Sequence, residues 1–152
     1  MSEQATEQLV LRKTLIVDAS PERAFEVFTA GIAGWWPMAT HSTGKELVET
    51  VVIEPREGGR FYERQKDGTE QDWGIVTAWE PPGRFASTWH PGYDASEGQD
   101  LEVRFTSEGD GTRVDLVHTG WERRADAEEM LQNYDVGWDV VFGERFAGAF
   151  GG

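Results

Sequence analysis

Residues 101–118, LEVRFTSEGDGTRVDLVH, decide the fold. Leu101, Val103 and Phe105 alternate with Glu102, Arg104 and Thr106, and Val114, Leu116 and His118 alternate with Arg113, Asp115 and Val117. Gly109-Asp110-Gly111 between them supplies the residues a tight reversal needs. Period-two alternation buries one face and wets the other, which is the pattern of an antiparallel hairpin covered on one side. The same pattern extends upstream, where strand-length segments at about 47–54, 60–66, 72–79 and 84–90 are separated by Glu57-Gly58-Gly59, Asp67-Gly68, Pro81-Pro82-Gly83 and Pro91-Gly92. With strands at 100–106 and 112–118 these make six consecutive candidates. The segment 72–79 is apolar on both sides, so its faces stay unassigned, although Trp73 and Trp79 share a parity.

Outside this block the period changes. Leu9, Leu11, Leu15 and Val17 share one face of a first strand, broken by Lys13. Ser20-Pro21-Glu22 then combines a capping hydroxyl, a proline suited to a first helical turn and an acid at the positive end of the helix dipole. Phe25 and Phe28 follow at helical spacing, predicting a helix over 20–30, and Gly31 to Pro37 continues as a second short helical turn. From 126 to 148, Met130, Tyr134, Trp138, Val141, Phe142 and Phe146 recur every three or four residues as an amphipathic stripe. Asp126 with Glu129 resembles a capping arrangement. Gly137 and Gly143 interrupt the helix, and close approach of a neighbour or ligand is the expected reason. The order is strand, two short helices, six strands, one long helix. This is an α+β single domain over 1–152, with 1–8 as a flexible tail, in which one curved antiparallel sheet has its apolar face covered by the last helix.

The 152 residues suffice for one core without disulfides, and there is no cysteine. That removes thiolate metal sites and cysteine nucleophiles. The net charge of −14 repels phosphate backbones and anionic membrane surfaces, so nucleic acid is not an expected partner. No stretch approaches the roughly 20 apolar residues of a spanning helix, and the polar N-terminus lacks the pattern of a signal peptide. The expected location is cytoplasmic, without membrane insertion. Seven Trp point to a large aromatic core or an aromatic-lined cavity.

Val17-Asp18-Ala19-Ser20-Pro21-Glu22-Arg23-Ala24-Phe25 resembles the opening of the SRPBCC superfamily, also called START-like or Bet v 1-like. Trp35-Trp36-Pro37, Gly59 with Glu63, Gly74 followed by Trp79-Glu80-Pro81-Pro82, the stretch Gly111 to Trp121, and Gly137-Trp138 are similar to the branch named for the activator of the heat-shock-protein-90 ATPase. The likeness runs from about Leu9 to Phe146. It implies a helix-grip fold, with a seven-stranded sheet wrapped around the C-terminal helix and a cavity between them. It does not by itself imply an activity, since a shared fold hosts many functions.

Three polar side chains fall on inward faces. His118 follows Val114 and Leu116, Glu63 follows Phe61 while Arg60, Tyr62, Arg64 and Lys66 take the other face, and Ser87 lies between Phe85 and Trp89. A buried carboxylate near an imidazole is an acid–base pair in principle, so Glu63 and His118 are the candidate catalytic residues. An alternative for Glu63 is a pair with an arginine such as Arg104. The expected walls of a ligand cavity are Trp35, Trp36, Phe61, Trp89, Phe105, Trp121, Tyr134 and Trp138, with Glu63, Ser87 and His118 as polar contacts. His41, beside Ser42, and His90 show no metal-ligand spacing with each other or with His118. No phosphate loop, nucleophile elbow or dinucleotide fingerprint is present, so neither metal nor cofactor is expected. The leading function is non-enzymatic binding of a small, largely hydrophobic or aromatic molecule by a monomer or homodimer. The alternatives are a cyclase or hydrolase using Glu63 and His118, and a protein-binding module with a chaperone partner.

Overall fold

The computed structural model describes residues 10–37, 45–91, 96 and 98–150. Strand β1 (Leu11–Val17) leads into helix α1 (Pro21–Phe28) and a 3₁₀ turn at Ile32–Gly34. Strands β2 (Val48–Ile53), β3 (Arg60–Gln65), β4 (Glu70–Glu80), β5 (Arg84–Trp89), β6 (Gln99–Glu108) and β7 (Gly111–Thr119) follow. A 3₁₀ turn at Trp121–Arg123 then leads into helix α2 (Ala127–Val140), which continues as a π-helical turn over Val141–Phe146. The expected tail, 1–8, lies outside the described residues, as do His41 and Ser42.

The strands form one antiparallel seven-stranded sheet in the order β1-β7-β6-β5-β4-β3-β2. It curls into a half-barrel around the C-terminal helix, which is the expected helix-grip α+β architecture. In the β6–β7 hairpin Leu101 faces His118, Val103 faces Leu116 and Phe105 faces Val114, so both alternations share the concave face. All six of these side chains are buried.

Strand β4 explains its own ambiguity. Against β3, Phe61 pairs with Gly74 and Tyr62 with Asp72, leaving Trp73 as an extra residue. Against β5, Val76 pairs with Ser87 and Ala78 with Ala86, leaving Thr77 extra. Each bulge reverses the parity of the side chains beyond it. Two reversals cancel, so Trp73 and Trp79 both face the aromatic interior while the residues between them are out of phase. Gly74 serves this geometry, because a Cβ there would lie 1.9 Å from the carbonyl oxygen of Thr88.

Helix α1 starts as its sequence predicts. The Ser20 hydroxyl accepts the backbone N–H of Arg23 at 3.2 Å, with Pro21 in the first turn. Ala24, Phe25, Val27 and Phe28 form its buried face. Ser20→Ala is expected to lower the unfolding free energy by about 1 kcal/mol, read as an earlier urea midpoint with an unchanged slope.

Helix α2 departs from expectation at two points. Asp126 makes no side-chain capping bond; its carboxylate instead accepts from Arg124 at 2.7 and 3.1 Å. Gly143 does not permit a close approach, since a Cβ there meets open space on the solvent side of the π-helical turn. The stripe itself is as expected: Trp138, Val141, Phe142 and Phe146 are buried, and Met130 and Tyr134 are half-buried.

Lys13, the break in the apolar face of β1, is a tether. Its ammonium reaches Asp135 at 2.5 Å and Asp139 at 2.8 Å on α2. Partial burial works against its charge, yet the two carboxylates hold the ammonium pKa above its ordinary value. Tyr62 lies on the outer face as expected but is buried there, under the Arg60 guanidinium 4.0 Å from its ring centroid.

Candidate functional site

The concave face is paved with aromatic rings. Strand β3 contributes Phe61, the bulge of β4 contributes Trp73, and β5 contributes Phe85 and Trp89. Trp36 comes from the segment after α1, and Tyr134 and Trp138 from α2. Ring centroids of Trp36 lie 5.2 Å from Trp73, 6.1 Å from Trp89 and 5.9 Å from Trp138. Trp89 lies 5.6 Å from Trp73 and 5.4 Å from Trp138. Four indoles from distant parts of the chain thus converge on one spot, at tilted and edge-on angles that suit their quadrupoles. Phe61 joins them, 5.4 Å from Trp73 and 5.7 Å from Trp89.

Local structure fixes each ring. Trp35 Nε1 donates to the carbonyl of Val27 at 2.8 Å, pinning the segment after α1 and setting the position of Trp36. Trp89 Nε1 donates to the Tyr134 hydroxyl at 3.0 Å, linking sheet to helix. Gly120, at φ +89°, turns the chain out of β7 and brings Trp121 back, so that its Nε1 donates to the His118 carbonyl at 2.9 Å.

Glu63 and His118 are both fully buried on the concave face, where their strand parity placed them. They do not form a pair. The Glu63 carboxylate accepts from Trp73 Nε1 at 3.0 Å and from Gln65 Nε2 at 3.1 Å. Arg104 takes no part, since it sits on the outer face, 3.1 Å from Glu102. Trp138 Nε1 donates to His118 Nδ1 at 3.0 Å. An indole nitrogen only donates, so Nδ1 carries the lone pair and the ring proton is on Nε2, 3.3 Å from Gln99 Oε1. The imidazole lies against Trp121, centroids 4.1 Å apart. Burial pushes its pKa down to about 3, so it is neutral at physiological pH. With both nitrogens engaged, the ring bridges the sheet and the helix.

The expected wall residues divide. Trp36, Phe61, Trp89, Trp121, Tyr134 and Trp138 form one contiguous set with Glu63 and His118. Trp35 joins its margin, 5.8 Å from Trp36 and 5.1 Å from Phe146. Phe105 does not belong: its ring packs on Phe25 at 5.3 Å and Phe28 at 6.1 Å, at the α1 end of the core. Ser87 is buried between Phe85 and Trp89. Two residues were missed. Gln99 lies two positions before Leu101 on the same face, so parity alone places it inward. Trp73 is hidden by the bulge. Among the described residues, no group of three or more His, Asp or Glu side chains is placed to hold a metal ion, and no helix is long and apolar enough to cross a membrane.

A separate open groove of about 860 Å³ runs along the outside of α1, where Phe25, Ile53, Trp79 and Pro81-Pro82 meet Arg23 and Glu26. Trp79 belongs to this groove, 5.0 Å from Phe25.

The sequence profile described as Activator of Hsp90 ATPase homolog 1-like protein matches residues 18–151, which take in strands β2–β7 and both helices, with β1 just before them. The chain belongs to this family. The family's architecture is that of the SRPBCC superfamily, as the motifs implied. Among solved structures, the anthrahydroquino-γ-pyrone synthase Txn09 is 36% identical, covering 92% of this chain and 96% of its own, with a TM-score of 0.62. The Aha1 dimer from Colwellia psychrerythraea is 17% identical over 93% of this chain and 96% of its own, with a TM-score of 0.68. DynU16, from the dynemicin biosynthetic locus, is 18% identical over 91% of this chain and 45% of its own, at 0.66. These last two share the fold. No curated protein matches the chain by sequence.

Proposed function

We propose that this domain binds a small, largely apolar, planar aromatic molecule between the sheet and α2, with Trp36, Trp89, Tyr134 and Trp138 as its walls. The convergence of four indoles on the concave face carries this reading. Indole faces match flat aromatic guests by offset stacking, and the neighbouring hydrogen bonds hold the rings in fixed orientations. The rings already touch, so a guest enters by opening the seam between sheet and helix. The 36% identity to a synthase of a fused aromatic pyrone supports the same class of molecule.

That relative also favours a second reading, in which the bound molecule is a substrate for ring closure. The contribution of the protein is then orientation of the reacting groups within the aromatic seam. Glu63 and His118 serve as supports for the rings in both readings.

Native mass spectrometry of protein purified without detergent, followed by calorimetric titration with 1,8-dihydroxyanthraquinone, tests the proposal. The expected result is a retained mass that leaves on denaturation, or one saturable site in the micromolar range. A clean apo mass with no uptake of the quinone up to its solubility limit rejects it. Conversion of a retained polycycle into a product with one more ring selects the enzyme over the carrier.

A further inference from the structure

Ser87 lies at the middle of β5, opposite Val76 on β4 and Leu101 on β6. It is 1% exposed. Its Oγ has no hydrogen-bond partner and is the only buried side-chain nitrogen or oxygen in that condition among the described residues. A buried hydroxyl without a partner is destabilising, and alanine would fill the same place without that cost. The other inward polar groups are occupied. Glu63 accepts from Trp73 and Gln65, His118 is held by Trp138 and Gln99, and Thr112 donates to the Ala19 carbonyl.

We propose that Ser87 is the polar anchor of the bound molecule, and that its partner there is a neutral oxygen, a carbonyl or a phenolic hydroxyl, on an otherwise hydrocarbon aromatic framework. This rests on the ligand-binding reading above and narrows its chemistry. A hydroxyl both donates and accepts, which suits either oxygen type. A charged head group at this point would need an opposite charge beside it. The neighbours along and across the strands are Phe85, Trp89, Val76 and Leu101, which supply none. The adjoining Trp89 ring belongs to the indole cluster, so a molecule stacked on that cluster brings its edge toward Ser87.

The test uses equilibrium dialysis of the intact protein and Ser87→Ala with two probes of one three-ring framework, 1,8-dihydroxyanthraquinone and anthracene, together with thermal midpoints of the unliganded proteins. The variant is expected to bind the quinone about tenfold more weakly, as loss of one hydrogen bond implies. It is expected to bind anthracene unchanged and to melt at the same temperature or higher. Ser87→Cys, which keeps the shape and a weak donor, falls between. Equal quinone affinity in wild type and Ser87→Ala overturns the anchor and leaves the ligand-binding reading standing. A lower midpoint with both probes weakened alike makes Ser87 a structural residue and also overturns it. Failure of the wild type to bind either probe removes the ligand-binding reading itself, and the anchor with it.

Discussion

Trp138→Ala will lower the unfolding free energy by about 3–5 kcal/mol in urea denaturation. The ring touches Trp36, Trp89, Tyr134 and His118 at once. Its removal leaves a hole where sheet and helix meet, and the hydrogen bond to His118 goes with it. Nδ1 is then a buried acceptor without a donor, a further cost. Domains of this size hold only about 5–15 kcal/mol in total, so the variant is marginally stable. Trp138→Phe separates the two effects. It keeps most of the apolar volume and loses only the N–H, for an expected loss of about 1–3 kcal/mol. Trp79→Ala is the control. That ring is half-buried and packs on Phe25 and Phe85 beside the outer groove, so its loss is smaller and leaves quinone binding unchanged. Equal destabilisation by Trp138→Ala and Trp79→Ala would contradict the assignment of Trp138 as the join between sheet and helix.

Stability will fall as pH drops below about 6.5. His118 has its folded pKa lowered to about 3 by burial, against an ordinary value of 6.5. Between those values the unfolded chain binds a proton that the folded one refuses. Unfolding therefore takes up protons, and stability rises with pH across the window. Full protonation of the difference changes stability by about 1.4 kcal/mol per pH unit. Carboxylates held low by their partners, Glu102 by Arg84 and Arg104 and Asp126 by Arg124, lose their contributions only below their ordinary values of 4.5 and 3.8. Over the interval from pH 6.5 to 4.5 the contribution of His118 falls by about 2 kcal/mol. His118→Gln offers an oxygen to Trp138 and an N–H to Gln99 without a titrating group, and should flatten the profile there. A slope that survives in His118→Gln would assign the acid sensitivity elsewhere.

Much of this site was legible because strand parity is a strict rule. Leu101 and Val103 put Phe105 inward, and Val114 and Leu116 did the same for His118. Phe61 did it for Glu63. Parity fails where a bulge adds a residue, and β4 has two, so Trp73 could not be oriented although it sits at the centre of the cluster. Gln99 was accessible by the same rule, two residues before Leu101, but a strand's first residue carries little pattern of its own. The partners were not legible. Trp138 and His118 meet only because α2 lies across the sheet, and local spacing cannot report a crossing. The same holds for Glu63, whose donor is the bulged Trp73, and for Lys13, whose charge reads as a flaw in β1 until α2 supplies two aspartates. Phe105 faces inward as parity requires, and its ring packs on Phe25 and Phe28 rather than on the indole cluster. Parity reports which face a residue occupies, not how far along the core it lies.

The packing of the indoles has an optical consequence. Trp35, Trp36, Trp73, Trp89 and Trp138 are close enough for excitation absorbed by one to pass among them before emission, so they act as a single chromophore. An acceptor bound against any one ring would darken the whole group rather than that ring alone, and emission from the group would be strongly depolarised even in a rigid molecule. Trp79, at the outer groove, should remain the brighter and more polarised reporter. The protein thereby carries two built-in signals, one for the seam between sheet and helix and one for the surface beside α1.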